Sequence, residues 1–226
     1  MTTLTVADLA GVVYSSGKVF DGLSTGRLDT ENFLRSGSLD GVASRADLAL
    51  LQDLRDAAQF VINQAGRTID AQFVRAVNAT ITRSGALHPG QLRTPAQGIG
   101  VATPHGRHTP DALTDAELQT LIDRATASGD VQDNALDLFV NLAKAQPFED
   151  GNKRTAVFVA NSLLISSGAR VLLTIPVDDN DPTLAATFND LLARAYIYDE
   201  LDEVKALLRS RGIAKVNPTD RDTRGS

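Results

Sequence analysis

The residues Gln146-Pro147-Phe148-Glu149-Asp150-Gly151-Asn152-Lys153-Arg154 combine, within nine positions, the groups needed to hold a phosphate. Gly151 lets the main chain approach a ligand closely, so the amides of Gly151, Asn152, Lys153 and Arg154 are expected to converge on one anion. The Lys153 and Arg154 side chains add formal charge, and the positive end of a following helix would lie under the same amides. Asp150 supplies one hard oxygen ligand beside them. A single carboxylate next to phosphates suits Mg2+, which keeps most of its waters and takes its remaining ligands from the phosphates themselves. The expected occupant is therefore a magnesium nucleotide, with Asp150 as the metal ligand.

Two helices must position this loop. Upstream, Leu136, Phe139, Leu142 and Ala143 fall on one stripe, and Pro147 disfavours helix at the residue before it, so the first helix should stop near Gln146. A second helical pattern begins near Asn152, carries Ala156, Val159, Ala160, Leu163 and Leu164, and ends at Gly168. The tetrapeptide Asp-Gly-Asn-Lys alone also fits an ordinary helix-loop-helix turn, in which Asp150 caps the following helix and the two cations are merely solvated.

The complete string is more specific. QPFEDGNKRTA resembles the signature of the Fic/Doc superfamily, His-Pro-Phe-x-Asp-Gly-Asn-(Gly or Lys)-Arg, at eight of nine positions. The segment Leu87 to Arg93, LHPGQLR, is similar to the stretch that leads into that family's β-hairpin flap, and Pro95 to Pro110 fits the flap. The resemblance runs from about Ser36 to about Leu208. It implies a mainly α-helical Fic-fold bundle with a short flap. It also implies transfer of AMP from Mg-ATP to a Ser, Thr or Tyr hydroxyl of a target protein, with residues 146, 150 and 154 catalytic.

Three departures bear on that activity. The position of the family's general base, a histidine, is Gln146, a neutral amide that can orient a hydroxyl but cannot take its proton. Loss of a general base typically costs about a hundred- to ten-thousandfold in rate. Lys153 replaces the glycine usual in adenylyl transferases, and Val157 stands where those enzymes carry a second arginine. GNKRTA resembles Doc toxins, which transfer the terminal phosphoryl group instead, so the transferred group stays open. Substitute bases would be His105 or His108 of the flap, His88 before it, or Glu149 within the motif, although exposure on a polar loop is the simpler account of each histidine.

Ile99, Gly100, Val101 and Ala102 form a short apolar run that reads as an edge strand, where an extended target segment could dock by strand addition. Ser36 to Gly41 resembles the family's inhibitory pattern, with Asp40 in place of a glutamate that pairs with a motif arginine. Ser36, Asp40 and Gly41 are thus the expected inhibitory residues; the same letters also describe a plain turn before the next helix.

Composition sets the outer limits. The 226 residues are 42% hydrophobic, enough for a proper core, and the net charge of −6 argues against nucleic-acid binding. With no cysteine there is neither a disulfide framework nor a thiol nucleophile, and the three histidines lack zinc-ligand spacing. No apolar stretch reaches membrane-spanning length and no basic leader opens the chain, so no membrane association and a cytoplasmic location are expected. The expected organisation is an N-terminal helical or regulatory segment over 1–44, a Fic domain over 45–212 and a polar, disordered tail over 213–226. Helices are expected near 46–64, 70–83, 114–127, 132–145, 152–167, 183–196 and 200–210, with an extended run at 170–175. The readings left open are an adenylylating transferase slowed by Gln146, an inactive regulator that binds nucleotide or partner, and a Doc-like kinase toxin with a separate antitoxin.

Overall fold

The apolar stripes assemble around one helix. In the computed structural model, which describes residues 4–85 and 87–216, helix α7 (Asn152–Ser167) buries Ala156, Val157, Phe158, Val159 and Ala160 in succession. A helix apolar on all sides must be surrounded. Its wall is made by α6 (Val131–Ala145), α3 (Arg45–Asn63), α4 (Ala71–Asn78) and α1 (Ala10–Asp21). Further out lie α2 (Arg27–Ser36), α5 (Asp115–Ala125), α8 (Pro182–Tyr198) and α9 (Leu201–Arg211). The chain is mainly α-helical, as its sequence predicts.

Helix starts follow their caps. Asp130 accepts the amides of Gln132 and Asp133 at 2.8 and 2.9 Å, Ser44 and Asp70 cap α3 and α4, and Thr114 with Glu117 forms a reciprocal box at α5. α7 stops at Gly168, in the left-handed region at φ 72°.

Two small antiparallel pairs complete the fold. The flap joins β1 (Val101–Thr103) to β2 (Gly106–His108), with Val101 opposite His108. The other pairs β3 (Val171–Leu173) with β4 (Ile213–Lys215), and Asn161 of the central helix clips it by exchanging two 2.8 Å hydrogen bonds with Leu173.

Some expected boundaries move. The helix expected over 70–83 ends at Asn78, because the amides of Thr82, Arg83 and Ser84 turn to the buried Asp53 carboxylate instead of continuing the ladder. The flap strand begins at Val101, so Ile99 and Gly100 precede it. Ile213–Lys215, expected to open a disordered tail, is a paired strand; the remainder of that tail, 217–226, lies outside the described residues. Leu9, Val12, Val13, Tyr14, Leu23 and Phe33 of the first 44 residues enter the same hydrophobic core as the rest. Among the described residues no helix is long and apolar enough to cross a membrane.

Candidate functional site

The loop between α6 and α7 is shaped from within. Gln146 ends α6 in the left-handed region at φ 47°, an uncommon conformation for a residue with a Cβ, and turns the chain toward Pro147. Its side chain is buried, with Nε2 donating to the Ala143 carbonyl at 2.5 Å and Oε1 accepting from Asn152 at 3.1 Å. Asn152 also donates to the Phe148 carbonyl at 3.0 Å and accepts the Phe148 amide at 2.8 Å. Asn152, expected to bind nucleotide through its amide, therefore uses its side chain to hold the loop closed. Phe148 is buried beneath it.

Gly151 is required for a different reason than close ligand approach. At φ 71°, a Cβ there would stand 2.8 Å from Ile81 Cδ1 and 3.2 Å from Asn78 Nδ2, so the missing side chain makes room for α4 and the turn after it. Asn78 holds the same place from below, donating to the Asp150 carbonyl and to Thr155 Oγ1, both at 3.0 Å. The Gly151 amide is taken by Asp150 Oδ1 at 2.5 Å. That leaves the amides of Asn152, Lys153 and Arg154, the first turn of α7, without acceptors among the described residues.

The charged residues of the motif diverge. Arg154 is buried, with Nη1 donating to Ser84 Oγ at 2.8 Å, Nη2 3.5 Å from Asp150 Oδ1 and Nε 3.4 Å from Asp21 Oδ2. Lys153 leans away from the loop, its ammonium 4.9 Å above the Phe20 ring. Burial lowers its pKa, and its proximity to Asp21 opposes that shift. Asp150 keeps half of its carboxylate surface exposed, the state a magnesium ligand needs, but no group of three or more His, Cys, Asp or Glu among the described residues could hold a metal alone. Val157 lies fully in the core and puts no charge near the loop.

Asp21 was not legible as part of this site. It ends α1, which Phe20 pins to the bundle through a cluster with Phe139 and Phe188, ring centroids 6.3 to 6.4 Å apart. Burial raises its carboxyl pKa, and the charges of Arg154 and Lys153 oppose that. The expected inhibitory residues are elsewhere: Asp40 is exposed and bonds Ser38, Ser36 bonds the carbonyl of Asn32, and Gly41 faces Asp29. The acid that meets Arg154 is Asp21, followed by Gly22. The available signal was an acid-glycine pair, which occurs at 21–22, where it closes α1, as well as at 40–41.

The flap is fastened to the loop by Arg93, which sequence reasoning placed only in a leading stretch. Arg93 is buried and donates through Nε to the Gln146 carbonyl at 2.7 Å and through Nη2 to the carbonyls of Pro110 and Asp111 at 2.6 and 2.8 Å. Its own amide donates to the Pro147 carbonyl at 3.0 Å. Of the candidate bases, His88 pairs with Glu149 at 3.4 Å and is exposed, while His105 meets Asp190 at 2.8 Å at the hairpin tip. His108 Nε2 lies 2.7 Å from the Lys144 carbonyl.

Comparison with known proteins agrees with this architecture. The model of the Fic/DOC family matches residues 68–164. Among solved structures, a Fic domain containing signaling protein from Bacteroides thetaiotaomicron is similar at 20% identity, covering 89% of this chain and 83% of that one with a TM-score of 0.66. A Fic-1 fragment from C. elegans is similar at 19% identity, covering 88% and 59%, with a TM-score of 0.67. The N-terminal Fic domain of a VirB-translocated Bep effector protein from Bartonella quintana, with bound ADP, is similar at 16% identity, covering 75% and 84%, with a TM-score of 0.50. No curated protein matches the sequence. At these identities the structural likeness establishes the fold.

Proposed function

We propose that the chain, whose residues 68–164 match the Fic/DOC family model, binds Mg-ATP at the start of α7 and transfers AMP to a Ser, Thr or Tyr hydroxyl of a protein. The observation that carries this reading is the group of three free amides at Asn152, Lys153 and Arg154, with the Arg154 guanidinium and the Asp150 carboxylate at the same helix start. The helix dipole and those amides suit phosphate oxygens, and Arg154 adds a fixed charge where phosphate charge would build up. A magnesium ion would be held by Asp150 and the phosphates, and when bound it neutralises phosphate charge. The similar Bartonella quintana domain with bound ADP supports nucleotide as the ligand. The target segment would lie along Ile99 to Val101 and β1, adding a strand to the flap.

Two features hold the activity down. Gln146 is locked by Ala143 and Asn152 and cannot accept a proton. Asp21 occupies Arg154 from the α1 side, the kind of contact that the family's inhibitory acid makes, so inhibition is assigned to Asp21 rather than to Asp40. A second reading, a regulator that binds nucleotide without transfer, is favoured by the engagement of the Gln146 amide with Ala143 and Asn152.

The test is intact-mass analysis of wild type and Gln146→His after incubation with Mg-ATP and cell lysate, with ATP affinity measured by calorimetry. The histidine variant should add AMP-sized mass to lysate proteins or itself faster than wild type. Phosphate-sized additions would replace AMP transfer with a Doc-like phosphotransfer. ATP binding without any transfer in either chain would establish the regulator, and absence of ATP binding would reject the nucleotide site.

A further inference from the structure

We propose that His108, on the flap, is the proton acceptor for the transfer reaction in place of Gln146; the proposal rests on the nucleotide-transfer reading above.

The argument begins with the ring's anchors. His108 Nε2 is 2.7 Å from the carbonyl oxygen of Lys144, two residues before Gln146 on the same helix end. A carbonyl can only accept, so Nε2 carries the hydrogen, and in a neutral imidazole the lone pair then sits on Nδ1. That nitrogen has no partner among the described residues. The ring also stacks on Tyr196, with centroids 5.0 Å apart and planes inclined by 28°. The tautomer and orientation of this imidazole are thus fixed by two independent contacts, the arrangement that a base held for catalysis requires.

Its surroundings connect it to the catalytic position. The Tyr196 hydroxyl is buried beside the Gln146 amide and completes no hydrogen bond among the described residues. Burial raises the pKa of this phenol, so it can donate a hydrogen bond but cannot serve as a base near neutral pH. Tyr196 therefore links the His108 ring to the Gln146 amide, and of these three side chains only the imidazole offers a ring-nitrogen lone pair as a proton acceptor. The other two histidines do not join it: His105 is paired with Asp190 and set edge-on to Tyr198, and His88 is paired with Glu149.

In the step assigned to it, His108 Nδ1 removes the proton from the target hydroxyl as the hydroxyl oxygen bonds to the α-phosphorus of the nucleoside triphosphate. The bond from that phosphorus to the bridging oxygen breaks, and its electron pair leaves with pyrophosphate. The imidazolium later loses its proton to water. The titratable groups on the elements packed against the ring are Tyr196, which stacks on it, Lys144, whose carbonyl holds it and whose ammonium is on Asp199, and, further along the flap and α8, His105 paired with Asp190.

The experiment compares wild type, His108→Gln, and His108→Gln combined with Gln146→His, each as the full chain. Transfer from Mg-ATP is read by intact mass across pH 5.5 to about 8.5, where imidazole titrates, and ATP affinity by calorimetry. Wild type should transfer, with a rate that climbs with pH. His108→Gln should be slower by about a hundredfold or more and lose that climb while binding ATP as before, and the added histidine at 146 should restore transfer.

Any of three results would overturn the assignment. His108→Gln could run at the wild-type rate. The double variant could stay as slow as the single one, which would make His108 only a flap anchor. Wild type could bind ATP and transfer nothing, which would leave the nucleotide site standing without a base. Failure of wild type to bind ATP would remove the underlying reading and this proposal together.

Discussion

Gly151 is the residue where the physical reason changed between sequence and structure. In the sequence it reads as a place for phosphate to approach the backbone; in the fold its missing Cβ accommodates Ile81 and Asn78, and its amide serves Asp150. Gly151→Ala should therefore lower folding stability by about 1 to 3 kcal/mol, from overpacking and from the left-handed backbone, as measured by chemical denaturation. An alanine variant as stable as wild type but unable to bind ATP would reinstate the phosphate explanation. Gln146 shows the opposite case. Its chemical deficiency is written in its identity, but only the fold reveals that its amide is already engaged by Ala143 and Asn152.

At the scale of elements, α1 acts as a lever on the site. Phe20 anchors its end among Phe139 and Phe188, which places Asp21 against Arg154 and Phe20 itself under Lys153. A carboxylate beside the arginine both competes for that guanidinium and repels a triphosphate. Asp21→Ala should raise ATP affinity by about tenfold, roughly 1.4 kcal/mol, in a calorimetric titration. Unchanged affinity would mean that Asp21 only fills space beside the arginine. Asp40, expected in this part, is bonded to Ser38 in the turn after α2, and a short acid-glycine pattern carries no information about which acid faces the motif.

For the whole molecule, stability in acid is set by buried carboxylates. Burial alone would raise the Asp47 and Asp53 pKa values, but hydrogen bonds outweigh it: Thr25, Ser24 and Ser44 hold Asp47 low, and Ser84, Arg83 and Thr82 hold Asp53 low. A folded pKa below the unfolded value of 3.8 gives stability that is fully present above that value and lost as pH falls through the folded one. The raised Asp21 acts in the opposite sense, contributing stability below 3.8 that is lost as pH rises through its higher folded value. The denaturation midpoint should accordingly drop steeply below about pH 4. Asp53→Asn should cost about 3 kcal/mol at pH 7 and flatten part of that drop, since it leaves the amides of the 82–84 turn facing a weaker acceptor; an unaltered acid limb in the variant would assign the drop to other groups. The sequence by itself determined the helical class, the two helices around the motif, the absence of a basic group at Gln146 and Val157, and the resemblance to the Fic/Doc signature. Those are set by residue identity and local periodicity, which need no knowledge of distant neighbours. Only the tertiary structure decided that Asp21 rather than Asp40 meets Arg154, that Arg93 ties flap to loop, that Asp53 ends α4 early and that His108 stacks on Tyr196. Each of those is a contact between segments far apart in the chain, where charge and shape select partners only after the core has brought the helices together.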